Sequence, residues 1–265
     1  MVTVLIASAV AGVAQDADNL ARKALDDPAF EWRSIESSNA RVYYQAGSYA
    51  ERHREMFLRS VEKMIEEVME YLGEPGHAGP LDVFYLNSRE EMKRIVGSPV
   101  TGFANWSAKA IFVVCSPQWR SFEKHEFTHN VTMGIWGRPH EKSGWMVEGI
   151  SIACDGWCRG YSVDEIAYHY LSNGELPPIG ELFENMRSLG EIRGGMYAAS
   201  VIGYIRETYG TDAVRELWLK GVEKFTRSVD IDFNQLETGW RDYLDEAVDP
   251  KTQVDIQPID EMGCG

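Results

Sequence analysis

Apolar and polar positions follow one rhythm in the first half of the chain and another in the second. In the first half, short runs of β-formers alternate with helical periods. ARVYYQA (40–46) and LDVFYL (81–86) read as strands. Between them Met56, Phe57, Val61, Met64, Ile65, Val68 and Leu72 recur at helical spacing, which predicts one amphipathic helix from Tyr49 to Leu72, stopped by Gly73. Ser88 followed by Glu91 is a capping box that opens a short helix ending at Gly97. GFANWSAKAIFVV (102–114) gives two extended runs about a turn at Ser107 to Lys109. Ser116-Pro117 then offers an N-cap and a first position for the next helix. Residues 17–38 are mixed and helical in part.

From Gly144 onward helical periods dominate. One helix is predicted around Trp145 to Cys158, one opened by the Ser162 to Glu165 capping box, one from about Gly195 to Tyr209, and two more before Val248. Residues 249–265 carry no period and read as a loose tail. No internal repeat or low-complexity segment is present. The layout predicts an α+β protein, with a mixed α/β N-terminal lobe over 30–134, a helical C-terminal lobe over 135–247 and a tail over 248–265.

Composition narrows the partners. Among 265 residues, 41 acidic side chains face 26 basic ones, for a net charge of −15, which repels phosphate backbones and argues against nucleic acid. Val2 to Ala14 is an apolar run the length of a signal-peptide core, with Gly12 and Ala14 ahead of a cut before Gln15. Export to a periplasm or medium is the expectation, with residues 1–14 as the signal. The first basic residue is Arg22, behind the run rather than ahead of it, and without export the chain is cytoplasmic. A bilayer needs roughly 20 apolar residues, and no stretch reaches that length, so no stable membrane insertion is expected. Of the four cysteines, Cys154 and Cys158 stand four apart on a predicted helix. They read as small buried side chains, with a bridge or a second metal as the alternatives. Cys115 and Cys264 show no pattern.

The chemistry concentrates in FEKHEFTHNV (122–131), which holds two of the chain's six histidines. Four residues apart on a helix, His125 and His129 share a face about 5–6 Å apart at Cβ, close enough for both imidazoles to reach one ion. Glu126, one residue round the helix, suits a general base acting on water beside that ion. A zinc catalyst takes three protein ligands and leaves one position open, and Glu148 in SGWMVEGIS (143–151) is the third candidate. Ser143 would cap its helix, with Trp145 and Ile152 packing it on the HExxH helix. Asp155 is a weak candidate to hold a histidine N–H. His53, His77 and His140 suggest only solvated positions.

HEFTH, eighteen residues, then the Glu of WMVEG resembles the gluzincin metallopeptidases, in particular the branch that includes aminopeptidase N. GGMYAASVIGYIRETYG (194–210) is similar to that branch's tyrosine-bearing helix, and the 102–114 hairpin to the edge strand of its substrate cleft. The likeness runs from about Arg41 to Leu244 and is strongest to small peptidase-MA-like domains. It implies a thermolysin-like catalytic fold, one Zn2+ per chain on His125, His129 and Glu148, Glu126 as general base and acid, and Tyr197 as the oxyanion donor. His169 and Tyr168 are alternative oxyanion partners on the same likeness. A peptide or protein is the implied substrate. Where aminopeptidases carry G-x-M-E-N to grip a free N-terminus, this chain has GFAN without the acid, so endopeptidase action is expected rather than aminopeptidase action. Asn105 of that segment either meets substrate backbone or holds the turn. The alternative function is a zinc-binding interaction domain of the same fold without hydrolysis, against which the intact Glu126 stands. A metal-dependent hydrolase of another bond is a third reading.

Overall fold

Five strands in the first half of the chain form one mixed sheet, while the second half is helical. The computed structural model describes residues 20–77, 79–117 and 122–264, and the backbone clusters into two units, Val2–Ile135 and Trp136–Gly265. The expected signal at 1–14 lies outside the described residues.

In the first unit the strands are β1 (Trp32–Glu36), β2 (Ala40–Gln45), β3 (Leu81–Leu86), β4 (Gly102–Asn105) and β5 (Ala110–Val114), in the order β1-β2-β3-β5-β4. β2, β3 and β5 run parallel, and β1 and β4 close the two edges antiparallel. Every residue of β5 is buried, as are five of the six in β3. Strands covered on both faces carry continuous apolar runs, which is why LDVFYL and AIFVV show no alternation. Tyr43, Phe84 and Phe112 pair in register across β2, β3 and β5 and stack at 4.4 and 4.7 Å. Such a ladder fixes the register, because a slip of one residue would turn each ring to the opposite face.

The helices of this unit are α1 (Leu20–Asp26), α2 (Tyr49–Arg52), α3 (Arg54–Tyr71), α4 (Arg89–Val96) and α5 (Glu123–Val131). The single helix expected from Tyr49 is broken at His53, whose backbone leaves the helical region. Met56, expected on the apolar stripe, is exposed, and Leu58 and Met69 join the buried face instead. Ser88 caps α4 by accepting from Glu91 N. The return bond runs one residue early, with the Glu91 carboxylate accepting from Asn87 N. The Ser116-Pro117 start is corrected: α5 begins at Glu123 behind Phe122, with Pro117 in a turn, a position its fixed φ suits.

In the second unit the elements are α6 (Trp145–Asp155), a hairpin of β6 (Trp157–Cys158) and β7 (Tyr161–Ser162), α7 (Val163–Ser172), α8 (Ile179–Asn185), α9 (Glu191–Tyr209), α10 (Thr211–Lys220), α11 (Val222–Ser228), α12 (Phe233–Ala247) and α13 (Gln257–Met262). α9 runs through the middle, buried from Gly194 to Ile202. α6 lies so close to it that a Cβ on Gly149 would stand 2.7 Å from Ile202 Cδ1. The Ser162 and Glu165 capping box forms as expected, at 2.7 and 3.1 Å.

Three expectations for this unit are corrected. Ser143 does not cap α6: its hydroxyl donates to Leu217 O at 2.9 Å, and Gly144 takes the N-cap position. The helix expected around Trp145 to Cys158 stops at Asp155, before the left-handed Gly156. Finally, the tail is not loose. Cys158 bridges Cys264 across 106 residues, Tyr170 donates to Asp260 at 2.5 Å, and Ile259 is fully buried. Cys154 and Cys115 are buried and stand outside any disulfide, as the small-side-chain reading had it for Cys154. No helix among the described residues is long and apolar enough to cross a membrane.

Candidate metal centre

The helix that carries HEFTH has little capping of its own, since Phe122 makes no side-chain cap bond. It is held by its unit. Phe127 is fully buried and the Asn130 amide, also buried, donates to Ala110 O of β5 at 3.1 Å. At the N-terminal end Tyr85 donates to Glu123 at 2.7 Å, and Lys124 pairs with Glu67 of α3 at 3.1 Å. Burial and the Glu123 charge push the Tyr85 hydroxyl up, so it stays a donor, and the same two causes push the Cys115 thiol up to about 12. Glu123 and Glu126 in the first turn also suit the positive end of the helix dipole.

Anchored this way, α5 aims its two imidazoles at one point. His125 Nε2 and His129 Nε2 are 3.1 Å apart, with the rings nearly perpendicular at 85°. Two nitrogens each about 2.0–2.1 Å from a tetrahedral ion would be about 3.3 Å apart, so the pair needs little movement to grasp one. Glu148, in the first turn of α6, completes the group: one ligand atom each from His125, His129 and Glu148 lies within 4.8 Å of the others, and all three residues are half-buried. Two imidazoles and a carboxylate are a donor set that zinc accepts, and half-burial leaves solvent a way in. These residues therefore fit a single divalent ion.

Glu126 is buried, and its carboxylate lies against Gly102 at the start of the edge strand β4, where a Cβ would overlap its Oε1. Tyr197 lies on α9. Its ring is fully buried and packs on Trp240 at 4.9 Å, while its hydroxyl donates to Pro177 O at 3.1 Å. Burial raises its pKa. To serve an oxyanion, this hydroxyl would have to exchange the Pro177 carbonyl for substrate. Asn105 is buried and accepts from Ser107 Oγ at 3.0 Å, the bond of a turn asparagine. Asp155 is the last residue of α6 before the left-handed Gly156. His169 sits beside Tyr170 on α7.

Two histidines expected to be merely solvated have structural work. His77 packs edge-on against Phe127, behind the HEFTH helix, and burial lowers its pKa. His140 caps the turn 141–143 by accepting from Lys142 N at 3.3 Å. The residue that sequence reasoning passed over is Gly102. Its signal was a glycine at the head of a β-rich run, which marks close approach of another group.

Neither a protein-family profile nor a curated protein matches the chain. Fold and site define its class as an α+β protein with a His-His-Glu group able to hold a metal ion.

Proposed function

We propose that the chain is a zinc-dependent hydrolase of peptide bonds, of gluzincin type, acting within chains rather than at a free N-terminus. The observation that carries the reading is the convergence of His125, His129 and Glu148 ligand atoms within 4.8 Å. A bound zinc would supply a Lewis acid that polarises the scissile carbonyl and makes water acidic enough to lose a proton near neutrality. Glu126 accepts that proton and returns it to the leaving amine, so the carboxylate ends the cycle as it began. β4 is the edge of the sheet beside this carboxylate, and an extended peptide can add to such an edge through its backbone. Edge-strand GFAN offers no carboxylate to pair with a substrate ammonium, which favours endopeptidase action.

The Cys158–Cys264 bridge supports the further proposal that the protein works outside the cytoplasm, where disulfides persist. The deciding experiment uses Glu126→Gln. The variant is expected to keep about one zinc per chain and to lose hydrolysis of N-terminally blocked peptides by about a hundredfold or more. Wild-type protein that holds zinc and cuts no peptide would sink the reading and leave a zinc-binding domain. A strict need for a free amine would return it to an aminopeptidase.

A further inference from the structure

The geometry points to Gly102 as a positioning residue for Glu126, its missing side chain being the space that the carboxylate occupies. The inference rests on Glu126 being the base. Gly102 opens β4 and pairs with Val113 of β5, and its φ is not in the left-handed region that favours glycine. Any residue can take that backbone conformation, so what the position demands is room. A Cβ there would overlap Glu126 Oε1 and stand 2.8 Å from both Cδ and Cγ. The overlap is with the end of one side chain and not with backbone, so the strand can keep its pairing while the Glu126 carboxylate is driven off. Glu126 has few places to go, being buried on a helix whose neighbours Phe127 and Thr128 are wholly covered. A methyl group at position 102 therefore acts as a displacement of the base by about an ångström, with the ligand residues untouched. Misplacement of a reacting group on that scale costs about a hundredfold.

The test is a double-mutant cycle between Gly102→Ala and Glu126→Ala, read by urea unfolding beside the kinetics and zinc content of Gly102→Ala alone. Gly102→Ala is expected to bind zinc as wild type does, to hold its KM within about threefold, and to lose about a hundredfold in kcat. Truncating the base to alanine removes all three atoms that the methyl group would meet. Gly102→Ala should then lower the urea midpoint in the wild type and leave it unchanged in the Glu126→Ala background. An equal loss in both backgrounds would overturn the inference, because the methyl group would then be acting through something other than Glu126.

A crystal structure of Gly102→Ala supplies the readout that does not need turnover. Displacement of the Glu126 carboxylate from its wild-type position supports the proposal, and a carboxylate left in place refutes it, even if the wild-type protein proves to cut nothing. If Gly102→Ala alone fails to fold while the Glu126→Ala double variant folds, the overlap is established. Failure of both would overturn it.

Discussion

His125 and His129 converge because four residues are slightly more than one helical turn, and Glu148 is the partner that turns a pair of imidazoles into a site. Glu148→Ala is expected to lower bound zinc from about one per chain to near zero after dialysis, measured by atomic emission, with the fold retained by circular dichroism. For Tyr197 the hydroxyl's bond to Pro177 O predicts that Tyr197→Phe changes kcat by less than about threefold, whereas a working oxyanion donor would cost a hundredfold or more. A third residue titrates. Asp164 accepts from Ser200 at 2.7 Å and from Tyr243 at 2.8 Å, yet burial outweighs both bonds and holds its pKa above the ordinary 3.8, with Glu207 and Glu165 adding to the rise. An acid with a raised folded pKa binds its proton more tightly when folded, so stability falls as pH rises from about 3.8 through that folded value. Urea midpoints should fall less steeply over that window in Asp164→Asn than in wild type. The two histidines were legible in the sequence because a fixed helical spacing carries them, while Glu148, on another helix, stood out through the family resemblance. Gly102 was not, because its partner stands on another element and a glycine announces only that something comes near.

Elements were legible where the signal was local. The strand pair 40–46 and 81–86, the helix stopped before Gly97 and the box at Ser162 all follow from neighbours in sequence. The break at His53 and the start of α5 at Glu123 were not, since the first interrupts an unbroken apolar period and the second has no side-chain cap. The tail was the largest miss. Spacing cannot give cysteine connectivity, and α13 owes its place to Cys158, Tyr170 and a bond from Arg159 to Gly263 O rather than to any period of its own. Its dependence on those contacts predicts the effect of losing one. Cys264→Ser, or reduction of the wild type, should cost about 2–5 kcal/mol of stability, read from urea unfolding with and without reductant. Equal midpoints in both conditions would mean that the bridge does not form.

At the scale of the whole protein, a bound ion stabilises the folded chain by mass action, because the unfolded chain presents no assembled site. With free metal at about a thousand times Kd the gain is about 4 kcal/mol, so a strong chelator should lower Tm by roughly 8–16 °C in calorimetry, and added zinc should restore it. The charge of −15 adds an expectation of solubility and of indifference to DNA in a binding assay. The bridge between Cys158 and Cys264 has a consequence of another kind. Any protein that meets proteases is exposed to nicking, and here a nick at any peptide bond between those two cysteines leaves two fragments still tethered to each other. On a gel run without thiol such a molecule keeps its full mass, and the damage becomes visible only when the tether is cut.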